Sequence, residues 1–241
     1  MALSRSYRRP RRLRIAFLAA AAALAALAPA GTTAQPAKRA NWSATITETA
    51  GGHLLGNPAA EVKLVEFMSY TCSHCADFAR EGDGAIKLGY VPSGRLSYEI
   101  RHLVRDPVDL TAALLASCGP AGKFFANHAA IMARQPEWMG KARAATQAQR
   151  ARWSFGTTAA RFQAIASDLG FDDLMVGRGY TRADITKCLS DEAKARAIAA
   201  TSQADTEALG LRGTPSFVLD GVLLEGVHNW PSLQPRLDAL L

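Results

Sequence analysis

Apolar side chains crowd between Val62 and Met68 into a short β-prone run, interrupted by Lys63 and Glu66 and ended by Ser69-Tyr70-Thr71. That pattern predicts a buried central strand. From Ser73 to about Leu88 the spacing changes: Ala76, Phe78, Ala79 and Ile86 suit a helix, with Gly82 and Gly84 predicting a kink or break. Arg95 to Val104 alternates again, as a second strand. Strand, helix, strand is the unit that builds a parallel α/β sheet through a right-handed crossover.

Between Asp106 and about Leu209 no run reads as a strand, and Ala, Leu, Lys, Arg and Gln recur at helical spacing, which predicts a helical insertion. Asp106-Pro107 reads as an N-cap followed by proline at the first helical position, and Gly119-Pro120 as the stop. Thr181 to Asp184 reads as an acidic capping box opening a helix that carries Ile185, Cys188 and Leu189. Strands return after Gly210: Pro215 to Leu219, a turn at Asp220-Gly221, then Val222 to Glu225, with a last helix over roughly Ser232 to Leu240. Residues 35–60 are small and polar, with turn signals at Gly51-Gly52 and Asn57-Pro58, and predict a loose arm holding one short strand near Ala44 to Thr49. The expected organisation is thus a leader (1–34), an arm (35–60), one α/β domain assembled from 61–105 and 210–241, and an inserted helical domain (106–209).

The leader changes the meaning of the charge. The 241 residues carry a formal net charge of +7, but Arg5, Arg8, Arg9, Arg11, Arg12 and Arg14 all fall in residues 1–34, where there is no acid. Without them the balance is +1, and no argument for nucleic acid remains. A basic stretch, an apolar run from Ile15 to Ala28 and small residues before Gln35 form a secretory signal peptide, cut after Ala34 or a few residues earlier. An uncleaved anchor is the alternative, weakened by the low hydrophobicity of an Ala-rich run.

Export places the cysteines in an oxidising compartment, where they tend to pair. Four are present, Cys72, Cys75, Cys118 and Cys188, allowing three pairings. A bond within Cys72-Ser73-His74-Cys75 closes a tiny loop and adds little stability, so this pair reads as chemical. The other two stand 70 residues apart, and a bond there could contribute about 4 kcal/mol. That pair reads as a structural disulfide, with a second redox pair or two free thiols as alternatives.

A C-x-x-C directly after a strand and opening a helix is a redox motif in context. There Cys72 would sit beside unsatisfied N–H groups with the positive helix end behind it, favouring its thiolate; His74, charged or donating a hydrogen bond, would favour it further. A stabilised thiolate leaves readily, and stabilising the dithiol makes the disulfide a stronger oxidant. Glu66 is costly in a buried strand unless paired or protonated, although strand alternation could instead turn it to solvent.

Glu66-Phe67-x-Ser69-Tyr70-x-Cys72-x-His74-Cys75, followed after the helical stretch by Gly213-Thr214-Pro215-Ser216-Phe217, resembles the DsbA-type thiol:disulfide oxidoreductases of the thioredoxin superfamily. The resemblance implies a thioredoxin fold with an inserted helical domain, Cys72 exposed as the attacked sulfur and Cys75 buried as its resolving partner. It also implies a cis bond before Pro215 that offers the Thr214 backbone to an extended substrate, and Glu66 as the proton carrier for Cys75, its pKa raised by burial. Family members often have proline at position 73 and valine at 214; both positions tune the oxidising strength.

The implied activity is donation of the Cys72-Cys75 disulfide to reduced, unfolded client proteins in the periplasm, without cofactor or metal, with re-oxidation by a quinone-linked membrane partner; the short arm, with no heptad pattern, reads against an oligomerisation module and for a monomer. The rivals are an isomerase or reductase using the same residues, and a client-holding or copper-handling module. Zinc or copper at Cys72, His74 and Cys75 would need a fourth ligand such as His102. His53, His102, His128 and His228 lack metal-like spacing among themselves and read as surface or packed residues, and Trp42, Trp138, Trp153 and Trp230 as packing residues. The basic run with Lys141, Arg143, Arg150 and Arg152 reads as a solvated helix face, with contact to acidic clients as its other reading.

Overall fold

The computed structural model describes residues 40–241; the proposed signal peptide lies outside them. Six strands form one sheet: β1 (Ile46–Glu48), β2 (Gly52–Gly56), β3 (Val62–Met68), β4 (Leu96–His102), β5 (Ser216–Leu219) and β6 (Val222–Leu223), in the order β1-β2-β4-β3-β5-β6. β3 and β4 run parallel, with Glu66 opposite Ile100, and every other pairing is antiparallel.

Strand alternation settles the orientation of Glu66. Leu64 and Met68, two residues to either side, belong to the main hydrophobic core with Tyr98 and Ile100 of β4, whereas Phe67 packs with Leu211 and Val218 on the opposite face. Glu66 therefore points into the main core, and it is buried.

The arm is more ordered than its composition suggests, because its glycines turn and pair a hairpin. Thr49 N–H bonds to the Gly52 carbonyl at 2.8 Å, and β2 then lies antiparallel to β4 over residues 52–56. A side chain at Gly52 would place a Cβ 2.0 Å from the Ile100 carbonyl, so only glycine allows the approach. The expected strand near 44–49 shortens to β1, and β2 is an addition.

The first helix breaks where its glycines predict. α1 (Ser73–Glu81) ends at Gly82, a short α2 (Asp83–Ala85) follows, and Ile86–Tyr90 widens into a π-helical turn. A Cβ at Gly82 would meet Phe78 and Trp230 at 2.8 and 2.9 Å.

Eight helices fill the insertion: α3 (Pro107–Ala116), α4 (Phe124–Ala133), α5 (Gln135–Ala144), α6 (Gln147–Ser154), α7 (Thr158–Leu169), α8 (Phe171–Gly177), α9 (Arg182–Leu189) and α10 (Glu192–Leu209). Asp106 caps α3, accepting from the N–H groups of Val108 and Asp109, and Thr181 with Asp184 forms the capping box of α9. Cys118, just past α3, is bonded to Cys188 near the end of α9, with the Cα atoms 5.6 Å apart. The last helix, α11 (Trp230–Asp238), starts before Ser232 because Asn229 caps it, its side chain accepting from Ser232 N–H.

No helix among the described residues is long and apolar enough to cross a membrane.

Candidate active site

β3 delivers the chain to Ser69-Tyr70-Thr71, and three side chains of the helical insertion fix that loop. Buried Asp109 of α3 accepts from Ser69 Oγ at 2.6 Å and Tyr70 N–H at 2.7 Å. Asp106 accepts from Thr71 Oγ1 at 3.0 Å. Buried Gln135, opening α5, donates to the Tyr70 and Cys72 carbonyls, 2.7 Å each. The loop thus meets α1 at a fixed angle, with Cys72 as N-cap and Cys75 within the first turn.

Both sulfurs are free thiols. Cys75 has no exposed surface and Cys72 keeps 6% of its own, so the nucleophile is more enclosed than the resemblance implies. It lies against the loop before β5, where the Thr214–Pro215 bond is cis and Cys72 Sγ is 3.2 Å from the Thr214 carbonyl, to which its thiol form donates.

The two thiols are set far apart in acidity. A hydrogen bond from the Cys75 thiol, helped by the Thr214 side chain and the backbone N–H groups of Cys75 and His74, holds Cys72 down to about 5 against the opposing effect of burial. Burial pushes Cys75 well up, as do its bond to Cys72 and the charge of Glu66. His74 contributes its backbone N–H; its side chain is exposed and lines a groove with Asp77, Phe78 and Thr214.

Beneath the thiols lies a buried polar chain. Burial first, and then the Asp83 carboxylate, raise Glu66 to about 8, so it carries a proton at neutral pH. Tyr98 Oη bonds to Glu66 Oε2 and lies 2.9 Å from Asp83 Oδ1. Asp83 stays charged: burial opposes this, but His128 and Lys87 hold it down to about 2. Lys87 Nζ is 2.8 Å and His128 Nε2 3.4 Å from its Oδ2, while His128 Nδ1 faces Tyr70 Oη at 3.2 Å.

The arrangement brings together Glu66, Cys72, Cys75, the His74 backbone, Thr214 and Pro215. His102 is not among them; it stands against the rings of Tyr70 and Phe124. Among the described residues no group of three His, Cys, Asp or Glu side chains is placed to hold a metal ion. Tyr98, Asp83, His128, Asp109 and Gln135 had no signal in the local sequence, because the contact that ties each to the site reaches a residue at least 15 positions away.

The family model described as thioredoxin matches residues 48–239. The chain belongs to the thioredoxin family. Within that fold a helical insertion separates β4 from β5, and the C-x-x-C stands at the start of α1. A solved structure named as a protein-disulfide isomerase, from Novosphingobium aromaticivorans, is 48% identical, with a TM-score of 0.76 over 79% of this chain and 98% of that one. The alpha-DsbA1 of Wolbachia pipientis shares the fold at 21% identity, with a TM-score of 0.58 over 78% of this chain and 89% of that one. A Rickettsia bellii protein, provisionally named a protein-disulfide oxidoreductase, is 28% identical over 77% of this chain and 62% of its own length. The match to its Rickettsia typhi counterpart covers 71% of this chain and 56% of the relative, so the chain spans roughly six tenths of the length of these relatives.

Proposed function

We propose that the protein is a thiol:disulfide oxidoreductase that donates the Cys72-Cys75 disulfide to reduced client proteins. The observation that carries this reading is the split in acidity within one C-x-x-C: Cys72 held down to about 5, Cys75 pushed well up. A client thiolate attacks the Cys72 sulfur of the oxidised protein, the Cys72–Cys75 bond breaks, and Cys75 leaves with the electron pair. Being buried, Cys75 takes a proton from Glu66. A second client thiolate then attacks the client sulfur of the mixed disulfide and expels Cys72 as its stable thiolate. The client loses two electrons and two protons; the protein gains both electrons and, once Glu66 is reprotonated, retains one proton while one is released. Thr214, with its carbonyl at Cys72, would align the extended client segment, and no cofactor or metal takes part.

The composition of residues 1–34 supports export to the periplasm; the DsbA-type resemblance supports turnover through a quinone-linked membrane re-oxidase, and a short arm without a heptad pattern supports a monomer. A second reading, disulfide isomerase, is favoured by the 48% identity to the Novosphingobium protein that bears that name. Equilibration with glutathione separates the two directions. A potential near the strong-oxidant end, about −120 mV, supports donation, one of about −180 mV the isomerase reading, and one of about −270 mV a reductant. Cys72→Ser abolishes oxidation of a reduced, unfolded client; activity that survives the substitution rejects the assignment.

A further inference from the structure

The basic run of the insertion divides once its partners are known. Lys141 pairs with Glu137 and Arg152 with Asp168, but Arg143 and Arg150 pair with no carboxylate among the described residues, and neither does Arg105. These three arginines line one groove of about 700 Å³. Arg150 donates to the Ala142, Arg143 and Ala145 carbonyls, which fixes its guanidinium without neutralising it. Asp106 is the acid lining the groove, and its carboxylate is engaged by the α3 N-terminus and by Thr71. Between the arginines lie Val108, Met139, Trp153 and Ile165, an apolar floor.

The positive field is local. Residues 40–241 carry 20 basic and 21 acidic side chains, so three unpaired arginines in one groove are not the overflow of a basic protein. The groove also reaches the residue next to the reactive cysteine, since Thr71, directly before Cys72, is part of its wall. Its other wall is α5, which carries Met139 and Arg143 and is tied to Cys72 by the Gln135 bond to the Cys72 carbonyl at 2.7 Å. It shares no lining residue with the groove by His74 and Thr214.

Taking the client-oxidising reading as its base, we infer that the groove lined by Arg105, Arg143 and Arg150 docks an acidic client segment that carries an apolar side chain and lies within a few residues of the cysteine to be oxidised. The carboxylates answer the arginines and the apolar side chain covers the Trp153 floor. Charge in the groove both steers the encounter and, at low ionic strength, tightens the complex, and salt weakens both effects.

The test uses one peptide scaffold with a leucine and either two glutamates or two glutamines beside the reactive position. With serine in place of cysteine and a fluorescent label, anisotropy reads docking without chemistry. At low ionic strength the glutamate peptide should bind the parent protein at least fivefold more tightly than the glutamine peptide. Salt should close that gap, and Arg105→Glu with Arg143→Glu should abolish it. Equal binding of the two peptides, a preference that survives the charge reversal, or binding of anionic phospholipid vesicles by these arginines without the peptide preference, overturns the inference. With the reactive cysteine restored and a second cysteine in the scaffold to resolve the mixed disulfide, the oxidation rate of the glutamate peptide should exceed that of the glutamine peptide by a similar factor. Docking with no oxidation of either peptide would count against the catalytic reading and leave the groove assignment standing.

Discussion

Glu66 and Asp83, two buried carboxylates on different elements, share the hydroxyl of Tyr98. That hydroxyl has one proton to give. With Glu66 protonated, Glu66 donates to Tyr98 and Tyr98 donates to charged Asp83; once Glu66 has passed its proton to Cys75, the hydroxyl can turn to the new anion. Tyr98→Phe removes the bond that favours ionised Glu66 and should move its titration further above the value of about 8. Carboxylate-carbon NMR of the parent and the variant measures this directly. An unchanged midpoint in a folded variant contradicts the shared-hydroxyl arrangement.

Asp109 holds the loop before the cysteines by accepting from Ser69, Tyr70 and Arg105. Asp109→Ala leaves three donors without their acceptor and should destabilise the fold by about 3 kcal/mol, read as a lower urea midpoint at unchanged slope. A loss comparable with that of an exposed-site substitution contradicts the role.

His53 and His102 are held down by burial, to about 4 and about 3 from 6.5. The fold therefore accommodates their neutral forms, so their contribution is fully present above pH 6.5 and is lost as the pH falls through the folded values. Each can steepen the acid decline by up to about 1.4 kcal/mol per pH unit. His102→Gln lowers stability at neutral pH by disturbing packing, but its loss between pH 7 and pH 4 should be shallower than the parent's. Parallel curves contradict the assignment.

The Cys118–Cys188 bond closes a loop of 70 residues, and replacing both cysteines by alanine should cost up to about 4 kcal/mol. Because neither cysteine is among the groups that set the acidity of Cys72, that acidity should not change. A shifted Cys72 titration in the double variant would show that the two pairs are coupled.

Much of the fold was legible because its signals are local. An apolar run ending in Ser69-Tyr70-Thr71 is a strand wherever it occurs, and the Asp106 and Thr181 caps start helices by their own chemistry. β2 was not legible: Gly51-Gly52 looks like a loose loop until the Ile100 carbonyl shows why no side chain fits at 52. In the site, the two cysteines and Glu66 could be read from one stretch. The network beneath them could not, since Tyr98, Asp83 and His128 come from β4, α2 and α4 and meet only after packing. Asp106 was legible as a cap but not as the acceptor of Thr71, a contact 35 residues away.

Titration of the Cys72 thiolate by its ultraviolet absorbance, with Cys72→Ser as the blank, tests the central claim most directly. A midpoint near 5 is predicted. A midpoint near 9, the value of an unperturbed thiol, would contradict it.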